Sequence, residues 1–262
     1  KISELPNDAT YGGNRDNEYT QKFGKQQGKY YVPQRAAAGL DPWATPQAYD
    51  NAKDFFDTGI TWSNSLNVAQ MLDKSSYSIS LGNTHQDGII SSTGMDRYNV
   101  KVSADTKLTN NWSSGFTANY ITTSIDKAVT SGNGLLRTVY AAPPSYDLAG
   151  IPSHVDGNPY TQNSFRGSFD NAYWAMENNK FTEDTNRFFG NVYASYQTDF
   201  GTTNHKLNAK YMVGVDAYTT HYVDSYGYGS NTGGGRGQIE NYGWTNATYN
   251  SLLTINYDWR IN

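Results

Sequence analysis

The 262-residue chain contains no cysteine, so disulfides, thiolate metal sites and cysteine nucleophiles are excluded together. Charge is scarce: charged residues make up 17% of the chain, against about 25% in ordinary soluble domains. With 20 Lys and Arg against 24 Asp and Glu, there is no basic excess to neutralise phosphates, which argues against nucleic acid as a partner. Apolar residues are also few, at 37%, and no run of them approaches the about 20 residues that a membrane-spanning helix needs. That shortage leaves a membrane β-barrel untouched, because barrel strands alternate. The first residues, Lys1-Ile2-Ser3-Glu4-Leu5-Pro6, include neither an initiator Met nor an apolar leader, so the expectation is a processed chain or an internal piece of a longer one. In place of charge and aliphatic bulk the chain carries 22 Tyr, 10 Phe, 6 Trp and 25 Gly. Aromatics at this density argue against disorder and for β-structure.

Residues 1–58 hold no sustained period and read as a long irregular segment, with Gly12-Gly13-Asn14, Gly28-Lys29-Tyr30-Tyr31 and Asp41-Pro42-Trp43 among scattered charges. From Gly59 a period of two sets in, the mark of strands with unlike faces. Ile60, Trp62, Leu66 and Val68 alternate with polar residues, then Tyr77, Ile79 and Leu81 do so after a break at Asp73-Lys74-Ser75. The clearest run sets Tyr98, Val100, Val102, Ala104, Thr106 and Leu108 against Asn99, Lys101, Ser103, Asp105 and Lys107. Trp112, Phe116, Ala118 and Tyr120 follow. After about sixty residues without alternation come Phe188, Val192, Ala194 and Tyr196, then Leu207 to Ala217, and last Tyr249, Leu253, Ile255, Tyr257 and Trp259. Seven strands result.

Their connections alternate strictly between short ones, near 73–75, 109–111 and 199–204, and long ones, about 85–96, 125–184 and 222–240. An antiparallel up-and-down sheet with short turns at one rim and long loops at the other is the layout of an outer-membrane barrel. The aromatics give a second check. Trp62, Tyr98, Tyr120, Phe188 and Tyr249 fall near the long-loop rim, and Tyr77, Trp112, Tyr196 and Trp259 near the opposite one. Two girdles of amphipathic rings are expected where a barrel meets the two membrane surfaces. The competing reading makes these residues the core of a soluble β-domain. On the barrel reading, Lys101, Asp105, Lys107, Lys210 and Asp216, with Asn99, Ser103 and Asn208, point into the lumen. Seven strands leave two open edges, which lipid cannot satisfy, so residues 59–262 are expected to be part of a larger transmembrane β-barrel and residues 1–58 an extracellular loop region.

Several segments resemble one family, the SusC/RagA-like TonB-dependent outer-membrane transporters. They are Asp50-Asn51-Ala52-Lys53-Asp54-Phe55-Phe56-Asp57-Thr58-Gly59, Tyr77-Ser78-Ile79-Ser80-Leu81, Gly88-Ile89-Ile90 and Arg97-Tyr98-Asn99. Further on are Ala142-Pro143-Pro144-Ser145-Tyr146, Asp156-Gly157-Asn158-Pro159-Tyr160, Asn186-Arg187-Phe188-Phe189-Gly190-Asn191 and Gly214-Val215-Asp216, in the family's order. Met71-Leu72-Asp73 departs from it, at a turn where the family often has a glycine pair. The resemblance implies a plugged barrel of about 22 strands in the outer membrane of a Gram-negative bacterium, with the long loops extracellular. It also implies import of oligosaccharide or peptide cargo, energy from TonB through a plug region not seen in this chain, and a SusD-like surface lipoprotein as lid. A passive porin or adhesin-type barrel fits the loop parity equally well, and a secreted β-rich glycan-binding domain is the third reading.

Chemistry-bearing patterns are sparse, and no enzyme activity is expected. His85, His154, His205 and His221 lack metal-ligand spacing. The glycines between Gly227 and Gly237 are not followed by the Lys-Ser/Thr of a phosphate loop. Glu177, Glu183 and Asp184, near Tyr173 and Trp174, are the one carboxylate group that suggests a sugar cleft, with a solvated loop as the favoured reading. Asp156-Gly157-Asn158 and Asp170-Asn171 offer oxygen ligands for Ca2+ in an extracellular loop, but lack a full ligand set and fit turn chemistry better. No cofactor is expected. Loop aromatics Tyr30, Tyr31, Trp43, Tyr173, Trp174, Tyr226 and Tyr228 are the candidates to stack on cargo or pack against the lipoprotein.

Overall fold

The computed structural model describes residues 28–129, 134–199 and 204–259. In chain order the elements are β1 (Tyr30–Tyr31), α1 (Pro33–Ala37), β2 (Trp43–Ala44), α2 (Asn51–Phe55), then strands β3 (Thr61–Met71), β4 (Ser75–Asp87), β5 (Gly94–Lys107) and β6 (Trp112–Lys127). A long excursion carries α3 (Leu135–Ala141), a hairpin of β7 (His154–Val155) and β8 (Asn158–Gln162), and α4 (Ala172–Asn178). Strands β9 (Lys180–Asp199), β10 (His205–Tyr226) and β11 (Gln238–Trp259) complete the order, with a 3-10 turn at Thr232–Gly235 between the last two. The protein is all-β in its framework. One seven-stranded antiparallel sheet has the order β11-β10-β9-β6-β5-β4-β3, so strands neighbour one another as the chain lays them down.

Local chemistry explains the tight rim. At 108–111 the Thr109 hydroxyl accepts from the backbone N–H groups of Asn111 (3.2 Å) and Trp112 (3.0 Å), while the Trp112 carbonyl accepts from Leu108 and Thr109. The third short turn, expected at 199–204, lies mostly outside the described residues. The long connections are shorter than the sequence reading gave: 88–93, 128–179 and 227–237, not 85–96, 125–184 and 222–240. The reason is that the ladder outruns the apolar stripe. Backbone pairing continues through polar residues such as His85 opposite Asp96 and Ser124 opposite Asp184, where hydropathy gives no signal.

Direct cross-strand partners share a face, so the register sorts every strand residue. One row runs Leu66, Leu81, Val100, Tyr120, Phe188, Ala217, Ala247, and the next runs Val68, Ile79, Val102, Ala118, Gly190, Val215, Tyr249. This face is apolar and uncovered: Leu66, Val68, Val192, Leu253 and Ile255 are all more than half exposed. The opposite face carries Ser78, Lys101, Asp105, Asn119, Arg187, Lys210 and Asp216.

The apolar band runs obliquely. Trp62 is level with His85, Asp96 and Ser124, whereas Tyr249 is level with Val215, Gly190 and Ala118. At the other border Tyr77 is level with Ala104 and Phe116, Trp112 with Tyr196 and Ala209, and Trp259 with His205. Both borders drift in the same direction across the sheet, as they must if the strands are tilted against a flat apolar layer.

The buried core is not in the sheet. It lies among the segment before the sheet and the long connections: Tyr30, Val32, Phe55, Ile90, Leu135, Val139, Tyr146, Leu148, Ile151, Ala172, Trp174 and Ala175 form one cluster. Residues 28–58 therefore correct the expectation of an irregular segment. They contribute two short helices and a two-stranded ladder, with Asp50 capping α2 through its carboxylate to the Lys53 N–H (3.2 Å). The 128–179 excursion likewise folds into two helices and a hairpin, whose tight turn takes Asp156 and Gly157 at φ 49° and 70°. This cap meets the polar face at the long-connection end, where Lys127, Phe181 and Tyr226 of the sheet border a cavity of about 20 Å3 together with Leu135, Ala175 and Met176.

Gly190 is needed where β9 pairs with Ala118 of β6. A Cβ there would stand 2.3 Å from the Thr117 carbonyl oxygen and 3.1 Å from the Ala118 Cα, both backbone atoms that cannot step aside. Gly190→Ala should therefore destabilise the sheet by about 1–3 kcal/mol, seen as a lower midpoint of urea unfolding; an unchanged midpoint would refute the close approach.

Candidate functional site

The polar face is hydrogen-bonded across successive strands. Ser63 pairs with Thr84 (3.2 Å), Asn67 donates to Ser80 (3.0 Å), Ser78 pairs with Ser103 (2.7 Å) and Thr185 with Thr220 (3.1 Å). Charge is organised in three groups. Arg187 grips Asp216 with a two-pronged contact, Nε to Oδ1 at 2.8 Å and a terminal nitrogen to Oδ2 at 2.5 Å. Tyr193 donates to Asp105 (2.5 Å), and the Lys210 ammonium sits 3.9 Å from the Tyr193 ring centre. Nearest the cap, Lys127 reaches Glu183 (3.2 Å) and lies 4.5 Å from the Tyr222 ring centre; Tyr222 in turn stacks on Tyr242 (5.0 Å) and approaches Trp244 (5.2 Å).

The register puts Lys101, Asp105, Lys107, Lys210 and Asp216 together on this face. It puts Trp62, Tyr77, Tyr98, Trp112, Tyr120, Phe188, Tyr196, Tyr249 and Trp259 on the other, along the two oblique borders. Arg187, Tyr193 and Tyr222 were missed as site residues. They alternate with the apolar stripe of their own strands, so the same period of two marks them.

The loop aromatics divide. Tyr30, Tyr31, Trp43 and Trp174 are at most 6% exposed, which corrects their reading as residues free to stack on cargo: they are core. Tyr31 and Trp43 pack edge to face at 5.5 Å, and the Trp174 indole N–H donates to the Pro159 carbonyl (2.8 Å). Tyr173 is half-buried, its hydroxyl donating to the Asp54 carbonyl (3.2 Å), and Tyr226 packs edge to face on Phe181 (5.0 Å). Tyr228 alone of the seven is well exposed, beside Tyr160 (5.8 Å).

The cap is fastened by Asp170, which is 4% exposed. Its carboxylate accepts from the Gln162 amide (2.7 Å), the Ser230 hydroxyl (2.6 Å), and both the backbone N–H (2.7 Å) and side-chain amide (2.8 Å) of Asn231. Its carbonyl accepts from the Thr138 hydroxyl (2.6 Å). The neighbouring Asn171 caps α4, accepting from the backbone of Tyr173 (2.9 Å) and Trp174 (3.2 Å). Asn171 thus does the local turn chemistry favoured from sequence, whereas Asp170 is a clasp between the 128–179 and 227–237 connections. The Asp170 partners Ser230 and Asn231 lie too far along the chain for a spacing pattern to reveal.

The carboxylate trio does not converge. Glu183 and Asp184 are adjacent in β9 and so face opposite sides, Glu183 toward Lys127 and Asp184 toward Ser124 (2.6 Å), while Glu177 lies in α4 near His154 (3.5 Å). His85 meets Asp96 (2.7 Å), His205 meets Tyr257 (2.7 Å) and His221 meets Asn241 (2.5 Å), each on its own. Among the described residues no group of three or more His, Cys, Asp or Glu side chains is placed to hold a metal ion.

No family model and no curated protein matches the chain. Among solved structures, it is similar to one described as the structure of the RagAB peptide importer in the closed-closed state, with 13% identity and a TM-score of 0.46 over 81% of this chain and 32% of that one. The chain thus spans about a third of that structure's chain, and its fold rests on its own register.

Replacing Asp170 by Ala would strand several buried donors, at a cost of about 1–3 kcal/mol for each left unpaired. Amide hydrogen exchange should then rise at 162 and 227–237 while the centres of β5 and β6 stay protected; uniform protection would dismiss the clasp. Burial holds the Tyr30, Tyr146 and Tyr173 phenols above the usual tyrosine range. A raised folded pKa favours the neutral form, so this stabilisation is complete below the unfolded value of about 10 and is lost above it. Cap amides should therefore exchange faster, beyond the intrinsic base-catalysed increase, as pH passes about 10.

Proposed function

We propose that the sheet is part of a transmembrane β-barrel of the outer membrane, and that the protein works as a SusC-like, TonB-dependent importer of oligosaccharide or peptide fragments, with a SusD-like surface lipoprotein as partner. The observation that carries the barrel reading is the pair of oblique aromatic borders flanking one uncovered apolar face. A soluble sheet of this size would cover such a face, and a lipid-facing one must have it. The obliquity is what strands tilted at about 35–45° produce. The free edges of β3 and β11 need partner strands wherever they meet hydrocarbon, since unpaired backbone groups there have no water to turn to. No described helix is long and apolar enough to cross a membrane, which says nothing of strands.

On this reading the polar face lines the interior, and Lys101, Arg187, Lys210 and Asp216 meet water, cargo or a plug. The cap then lies at the extracellular rim and narrows the opening, and Tyr160 and Tyr228 form an exposed patch on which a lid could rest. The scattered histidines and the divergent carboxylates favour binding and transport over catalysis.

Three measurements decide the matter. The protein should sediment with outer membranes and leave them only in detergent; recovery in the soluble fraction would overturn the barrel. Val102→Lys should cost about 2–4 kcal/mol in a folded-state assay in lipid and Ser103→Lys only the about 0.5–1.5 kcal/mol of its hydroxyl pair with Ser78, because only the former side chain faces lipid at the bilayer midplane. Equal effects would mean that the faces are reversed or that there is no lipid. Cargo uptake should stop when the proton-motive force is collapsed; uptake that persists would point to a passive pore.

A further inference from the structure

The polar face is not uniform. The side chains that β3 to β6 send to it include no aromatic ring, and every ring on this face belongs to β9, β10 or β11. Three of these rings adjoin. Tyr222 stands directly opposite Tyr242, stacked on it at 5.0 Å with the planes 11° apart, and Trp244, next along β11 on the same face, lies 5.2 Å from Tyr222 at 40°. They make one platform. It lies beyond Tyr249, on the cap side of the outer aromatic border, and Tyr242 and Trp244 are 44% and 51% exposed. An exposed apolar patch rimmed by polar groups marks a binding surface.

The rim selects the occupant. Toward β9, the Lys127 ammonium lies 4.5 Å from the Tyr222 ring centre and is held by Glu183 (3.2 Å), so the place that a cation takes over this ring is filled from within the protein. Toward the cap, Asp224 and Glu240 face each other across β10 and β11, a like-charge pair that repels an anionic ligand. Asp224 accepts from the Tyr242 hydroxyl (3.2 Å) and Glu240 from the Gln238 amide (2.5 Å), which leaves each carboxylate most of its acceptor capacity. Toward the membrane, Asn246 adds an amide to the same face. The whole is an apolar floor ringed by hydrogen-bonding groups.

We infer that this platform binds a neutral oligosaccharide, with one pyranose unit lying on Tyr242 and Trp244. A pyranose is apolar on its C–H face and carries hydroxyls around its edge, which is the complement of this surface. Its C–H face covers the two exposed rings, and its hydroxyls donate to Asp224 and Glu240. A peptide offers a flat ring only at its aromatic residues. The position on the cap side of the border is where a ligand arriving from outside first meets the polar face. A role in cargo capture, with oligosaccharide rather than peptide as the cargo, rests on the importer reading; the site itself does not.

The test is titration calorimetry on the purified protein in a detergent without a sugar head group. The probes are cellohexaose, maltohexaose, laminarihexaose and mannohexaose, with the capped peptides acetyl-Ala-Lys-Ala-amide and acetyl-Ala-Phe-Ala-amide beside them. At least one hexasaccharide should bind, and Trp244→Ala should weaken it about tenfold because the stacking surface is gone. Trp244→Phe should restore most of that loss. Asp224→Asn should weaken binding several-fold, since a charge-assisted acceptor becomes a neutral one, and Trp62→Ala, on the opposite face, should leave it unchanged. Binding of none of the sugars, binding of a peptide alone, or an equal loss in Trp62→Ala would overturn the proposal. Sugar binding by a protein that neither fractionates with membranes nor imports would keep the site and remove the importer. Membrane recovery and uptake without sugar binding would do the reverse.

Discussion

A β-ladder sends successive side chains to opposite faces, and a strand in this chain has no freedom to choose otherwise, because its backbone groups are already paired on both sides throughout β4, β5, β6, β9 and β10. Period two in the sequence therefore becomes two unlike surfaces in space. One is apolar, bordered by aromatic rings and left bare. The other is knit by hydroxyl, amide and ion pairs that would be costly to place against hydrocarbon. Which medium meets which face follows from that division.

The second consequence is where the core can form. A single sheet with a bare apolar side has nothing to pack against, so the buried cluster is assembled from the connections. Tyr30, Phe55, Ile90, Leu148 and Trp174 come from widely separated stretches, and meet where residues 28–58 pack on the long connections that the ladder brings to one rim. Asp170 then fixes their arrangement with hydrogen bonds to Gln162, Ser230 and Asn231.

Much of the sheet was legible in the residues. The alternation at Tyr98 to Leu108 identifies both faces of β5 without any structure, and the strand count and the parity of the connections follow from similar runs. Strand ends were not legible. His85, Asp96, Ser124 and Asp184 sit in the ladder although nothing apolar marks them, since hydrogen bonding continues after hydropathy stops. The loop aromatics were misread for a related reason: a Tyr or Trp in an aperiodic stretch looks the same whether it is buried, like Trp174, or exposed, like Tyr228.

By itself the sequence determined the number of strands in the main sheet, their polar and apolar sides and the absence of thiol chemistry, because these depend only on neighbours along the chain. Tertiary structure decided the rest. The obliquity of the aromatic borders needs the register between strands. The pairing of Arg187 with Asp216 and of Tyr193 with Asp105 needs side chains from different strands to stand side by side. The clasp at Asp170 depends on burial, which arises only when distant segments close over one another.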